Sequence, residues 1–290
     1  MTTAEHKYIW PERTLLFEAD DRVDPDLFTL ATQAWRFLDE TLAGLRLNRS
    51  LPEFPSRLLL LYHGARIFGA SCAGTMLLAQ RMGREATIMA RCQYDYFLKM
   101  LYYDTYHDTA RRVLELLDQG AWDYVFHKKA GSDFSGIDPQ ELARVQALEK
   151  EAKEPNFTTD VMKGLKRDSD FLNDANNGNP FAKWFFNNIE ASFRTHWTYG
   201  SSIVHASPVD IPNVILQRPD GAFTITVDSR MKAPNKTIAD LTQRCFSAMG
   251  LIRWRFGEEF KDEHSAWATQ FQRIADRHEA EPTDVRSMHD

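Results

Sequence analysis

The sequence predicts a mainly α-helical protein: a bundle of seven or more helices with one β-hairpin near residues 214–227. Three observations lead there. Helix-start signals recur along the chain: Asp24-Pro25, Asp138-Pro139-Gln140-Glu141, and Thr237 ahead of Asp240 each offer a capping side chain. Between these signals, apolar residues return at the helical interval. Only one region alternates apolar and polar residues on both sides of a turn signal.

The elements follow in order. Asp24 caps a helix with Pro25 in its first turn, and Leu27, Leu30, Ala34, Phe37, Leu38 and Leu42 form its apolar stripe. Residues 48–55, with two prolines, read as a connector. Ser56 is then expected to cap an apolar helix to about Arg81. That helix contains Gly64, Ala65, Gly69, Ala70, Ala73 and Gly74. Each glycine costs roughly 1 kcal/mol of helix propensity against alanine, so the small residues predict close helix–helix approach. Gly83 reads as a break, followed by a helix from Arg84 to about Tyr106. Asp108 opens another through Leu117, and the Asp138 capping box opens a third.

Loops are expected at AGSDFSG (130–136) and NDANNGN (173–179), with the basic residues Lys163, Lys166 and Arg167 on a solvated helix face between them. A long helix is expected from Asn179 to about His205. The hairpin pairs residues 214–217 with 223–227 across Pro219-Asp220-Gly221, and Thr237 starts a last long helix to about Phe260. The expected organisation is an N-terminal extension (1–23), a single helical domain (24–278) and a flexible tail (279–290).

Composition narrows the function classes. The chain has 290 residues and a formal charge of −6, so no general polyanion coat is indicated. MTTAEHKYIWPER lacks the form of a secretory signal, and apolar runs fall far short of the roughly 20 residues that span a bilayer. Cys72, Cys92 and Cys245 are odd in number and widely spaced, which suits neither a disulfide framework nor zinc, and points to a reducing cytoplasm. Nucleotide-loop, zincin and Glu-x-x-His motifs are absent. Asp104-x-x-His107 is the nearest miss, so neither a metal nor a cofactor is expected.

Two polar constellations stand out. On the expected helix 179–205, Phe186, Ile189, Phe193, Trp197 and Val204 share one face, and Asn187, Glu190, Arg194, Thr198, Ser201 and His205 share the other. His205 ends that helix with Ser201 one turn earlier, as a general base and its orienting partner would be placed, and as a cation satisfying the helix C-terminus would be too. Gly200-Ser201-Ser202 lacks the strand-to-helix elbow of a serine nucleophile. On the helix 84–106, Arg91, Asp95 and Lys99 fall one turn apart among Ile88, Met89, Ala90, Cys92, Tyr94, Tyr96, Phe97 and Leu98. That surround fits either a solvated charge stripe or an inward ion pair facing the His205 helix.

Arg91-x-x-x-Asp95 followed by Trp197-x-Tyr199-x-Ser201-x-x-x-His205, a hairpin and a last long helix resembles a widespread bacterial domain-of-unknown-function family of helical proteins. The resemblance spans roughly Leu58 to Phe260; the family usually has Glu at the position of Asp95. The family is similar in outline to the higher-eukaryote and prokaryote nucleotide-binding (HEPN) ribonucleases. The resemblance implies a metal-independent, RNA-targeting toxin or phage-defence nuclease. His205 would be its acid/base and Arg91 its phosphate cation, with Asp95, Tyr199 and Ser201 beside them. Those ribonucleases place an arginine four to six residues before the histidine, where this chain has Tyr199, Gly200 and Ser201. Arg91, or a second subunit of a homodimer, must then supply the cation. The competing expectation is a non-catalytic helical binding or scaffold module, in which Arg91, Asp95, Ser201 and His205 form a buried polar network.

Overall fold

The computed structural model describes residues 22–152, 204, 215–217, 219, 221, 223–225, 234–257 and 261–276. They are mainly helical, with eight helices and one pair of short strands. Helix α1 (Pro25–Gly44) starts as its sequence predicts: Asp24 accepts hydrogen bonds from the Asp26 and Leu27 amides, with Pro25 in the first turn. The Asp24 amide donates to Asn235 Oδ1 at 2.7 Å, and Asn235 Nδ2 donates to the Arg22 carbonyl at 2.9 Å. One buried amide therefore ties the start of α1 to the start of a helix over two hundred residues away.

Helix α2 (Phe54–Ala79) begins before Ser56, and Glu53 precedes it without a side-chain cap. Ser56 is not its cap. First-turn amides have no intrahelical acceptor, so Pro55 costs nothing there and the helix runs straight through it. At the other end Arg81 takes the left-handed conformation (φ 61°). The Arg81 amide bonds the Leu78 carbonyl at 3.0 Å and the Met82 amide bonds Leu77 at 2.8 Å, the paired bonds of a Schellman cap. The turn sits on Arg81, and Gly83 is the first residue of α3 (Gly83–Thr105) rather than a break. Helix α4 (His107–Asp118) follows after a bend at Tyr106.

Helices α5 (Ala121–Lys129) and α6 (Pro139–Leu148) flank the expected loop at 130–136, and Asp138 caps α6 through the Gln140 and Glu141 amides. Strands β1 (Ile215–Gln217) and β2 (Phe223–Ile225) pair antiparallel with Ile215 opposite Ile225. Residues 214, 218, 220, 222, 226 and 227 of the expected hairpin lie outside the described residues, as do 179–203 and 205 of the expected long helix, the segment with Lys163, Lys166 and Arg167, and the loop 173–179. Helix α7 (Pro234–Phe256) starts three residues earlier than Thr237 predicts, again with a proline in its first turn. It stops at Gly257, whose φ of 71° a glycine adopts without strain. Helix α8 (Lys261–Asp276) completes the order.

The core lies between α1, α2, α3 and α7. Leu27, Leu30, Leu38, Leu60, Ile67, Leu78, Tyr94, Phe97, Leu98, Leu101, Leu241, Met249 and Ile252 are its fully buried centre. Fully burying one such aliphatic side chain stabilises by about 1.5–3 kcal/mol. Two α2 glycines show why small residues stand there. A Cβ on Gly64 would lie 2.9 Å from Ile252 Cδ1, and one on Gly74 would lie 2.8 Å from Leu241 Cδ1, so α7 packs on α2 at these two points. Gly69 faces open space and plays no such part. Helices α4, α5 and α6 form an outlying layer with its own small cluster of Leu116, Ala121 and Ala152.

Candidate functional site

Of the residues that the sequence singles out, His205, Ser201 and Tyr199 lie outside the described residues. Val204, assigned to the apolar face of their helix, is helical but 44% exposed. Arg91 and Asp95 lie on α3 with their charged groups 3.8 Å apart and side chains 20% and 28% exposed. The pair is neither a solvated stripe nor fully enclosed.

A polar cluster lies deeper, where α2, α3 and α7 meet. Gln93 Nε2 donates to Ser71 Oγ and to the Leu241 carbonyl at 2.9 Å. Ser71 in turn donates to the Ile67 carbonyl at 2.7 Å and shares a hydrogen bond with Cys245 Sγ at 2.8 Å. Arg244 reaches Gln93 Oε1 at 3.4 Å and Asp240 at 3.9 Å, with its guanidinium over the Tyr94 ring. Burial pushes the Cys245 thiol up to about 12 and raises the Tyr94 phenol, so both stay protonated. These groups are consumed in holding three helices together.

A second cluster opens to solvent. A cavity of about 410 Å³ lies between the start of α2, the α3–α4 junction and the end of α7. Glu53, Ser56, Arg57, Leu60, Asp104, His107, Trp254 and Arg255 line it. Asp104 is 3% exposed, and Arg255 grips its carboxylate with two nitrogens, one contact being Nη2 to Oδ2 at 2.8 Å. Two parallel bonds of this kind spend both charges on each other. The Arg255 guanidinium also stacks 4.0 Å from the Trp254 ring, which fixes that wall. Across the cavity, Ser56 Oγ and His107 Nδ1 share a hydrogen bond at 2.6 Å. The serine that the sequence suggests as a cap therefore orients an exposed imidazole.

Arg57 differs from Arg255. Its guanidinium lies over the Phe256 ring at 5.2 Å, and among the described residues it donates to no side chain. Glu53, one turn earlier, pairs with no described cation either. An acid and a base at this spacing ordinarily meet along a helix. Here the aromatic ring of α7 draws the arginine aside.

Sequence reasoning missed this site because it is assembled from three separated stretches, residues 53–60, 104–107 and 254–255. The available signal was Asp104: a carboxylate among Leu101, Tyr102 and Tyr103 requires a buried partner. Among the described residues no helix is long and apolar enough to cross a membrane, and no three potential ligands converge on one point. No family model matches the chain, and neither the curated proteins nor the solved structures compared with it include a significant match.

Proposed function

We propose that this protein is a non-catalytic helical binding module that takes a small polar ligand in the cavity between α2, α4 and α7. The carrying observation is the contrast within that cavity. Arg255, Asp104 and His107 are held rigidly by one another or by Ser56, while Arg57 keeps its hydrogen-bonding edge unspent among the described residues. Walls fixed in advance lower the ordering cost of binding, and a volume of about 410 Å³ falls within the usual range for small-molecule sites. The buried Ser71–Gln93–Arg244 cluster joins α2, α3 and α7 and supports a scaffolding part for this module; Ser201 and His205 of the expected network lie outside the described residues.

The second reading is the metal-independent RNA-targeting nuclease, with His205 as acid/base and Arg91 as phosphate cation. Partial exposure of the Arg91–Asp95 pair favours it, because a phosphate can reach a guanidinium that is 20% exposed. One assay separates the readings: purified protein is incubated with structured and single-stranded RNA in excess chelator. The binding-module reading expects intact RNA. Cleavage that His205→Ala lowers by about 10²–10⁴-fold, with the fold unchanged, overturns it in favour of the nuclease.

A further inference from the structure

We infer that the cavity between α2, α4 and α7 recognises a zwitterion, an α-amino acid with an apolar side chain, through Arg57 and Glu53; the inference rests on the binding-module reading. The argument is one of charge. Four formal charges line the cavity, and Asp104 and Arg255 cancel each other through their paired hydrogen bonds. Glu53 and Arg57 remain, opposite in sign and one helical turn apart, and neither forms an ion pair with the other or with another described residue.

A ligand answering both must carry a cation and an anion at close spacing. The ammonium and carboxylate of an α-amino acid stand on one carbon and suit side chains whose Cβ atoms are about 5–6 Å apart. The carboxylate takes the planar fork of Arg57, whose guanidinium lies over the Phe256 ring at 5.2 Å and donates to no described side chain. The ammonium takes Glu53 at the rim. In the tautomer in which Ser56 donates to His107 Nδ1, Nε2 carries the ring proton and can donate to the carboxylate. The exposed part of the Trp254 indole offers the apolar wall for the ligand side chain. A phosphate dianion fits poorly. It meets a single unspent guanidinium with the Glu53 carboxylate beside it.

The test is calorimetric titration of the full chain with L-phenylalanine, 3-phenylpropionate (no ammonium), phenethylamine (no carboxylate) and inorganic phosphate. L-phenylalanine is expected to bind about tenfold or more tighter than either single-charge analogue. Arg57→Gln and Glu53→Gln should each weaken it by a similar factor while melting as wild type does. Equal binding of 3-phenylpropionate with Glu53→Gln silent overturns the zwitterion. So does equal binding of phenethylamine, or a preference for phosphate. In those cases a ligand still occupies the cavity and the binding-module reading stands. If neither L-phenylalanine nor L-leucine binds into the millimolar range, the zwitterion is overturned as well. Screening the same sample with small-molecule fragments then decides the module reading separately.

Discussion

The Arg244 guanidinium lies 3.8 Å from the centre of the Tyr94 ring, with both side chains buried between α3 and α7. A guanidinium is tolerated there because it has Asp240 at 3.9 Å, Gln93 Oε1 at 3.4 Å and an aromatic face. Truncating it takes the donor from Gln93 Oε1 and the cation from beside Asp240. Arg244→Ala should destabilise by about 3–5 kcal/mol in urea unfolding, and Arg244→Met, which restores volume, should recover part of that. An unchanged midpoint for Arg244→Ala would show that the cluster does not hold the helices.

The α2 glycines predict opposite signs from the same substitution. Gly69→Ala meets open space and should stabilise by about 0.5–1 kcal/mol through helix propensity. Gly74→Ala meets Leu241 Cδ1 at 2.8 Å, Leu241 Cδ2 at 3.2 Å and Met89 Cβ at 3.3 Å, and should destabilise by about 1–2 kcal/mol. Gly64→Ala, crowded by Ile252 Cδ1 at 2.9 Å and Leu42 Cδ2 at 3.4 Å but by no Cβ, should fall between them. Thermal unfolding of the three variants checks the order.

His63 makes stability depend on pH. Its ring lies parallel to Tyr103 at 5.7 Å, and its Nδ1 has no hydrogen-bond partner among the described residues. Burial, with Lys99 and Arg66 adding charge repulsion, lowers its pKa from 6.5 to about 3. Below 6.5 the unfolded chain takes up a proton that the folded one refuses, so stability is complete above 6.5 and falls as pH drops towards 3. The slope from this group is about 1.4 kcal/mol per pH unit. His63→Phe should flatten the urea-unfolding free energy against pH over that window; an unchanged slope would mean that the ring is protonated in place.

Arg255 and Asp104 bind α7 to the α3–α4 junction. Arg255→Ala leaves a carboxylate that is 3% exposed without its fork, and should cost about 3–5 kcal/mol. Arg255→Lys keeps the charge but cannot make both bonds, so calorimetric melting should show only partial recovery.

Much of the helical order was legible, and its failures share a cause. Asp24-Pro25 and Asp138-Pro139 were read correctly because an aspartate precedes the proline and caps the helix that follows. Pro55 and Pro234 also lie in first turns, but no capping side chain stands before Pro55, and Asn235 after Pro234 is turned towards α1. The sequence reading places Pro55 in a connector and starts the later helix at Thr237, so both helix starts fall too late. Gly83 drew attention from Arg81 because a non-glycine residue at positive φ has no reliable sequence signal. Crowding at Gly64 and Gly74 followed from composition, whereas the open position of Gly69 required knowing which face meets α7. The cavity was illegible for a stronger reason. Periodicity reports which face of a helix is buried, not which helix ends converge, and this cavity is made of helix ends.

The most direct measurement of the central claim is the indole N–H resonance of Trp254, assigned through Trp254→Phe, while ¹⁵N-labelled protein is titrated with a small-molecule fragment mixture. Trp254 lines the cavity beside Arg255, so a bound ligand must alter its surroundings. The account predicts a saturable shift of that resonance in the wild type, and its loss in Arg57→Gln with the remaining spectrum unchanged. A Trp254 resonance that no fragment moves, or one that moves equally in Arg57→Gln, would contradict it.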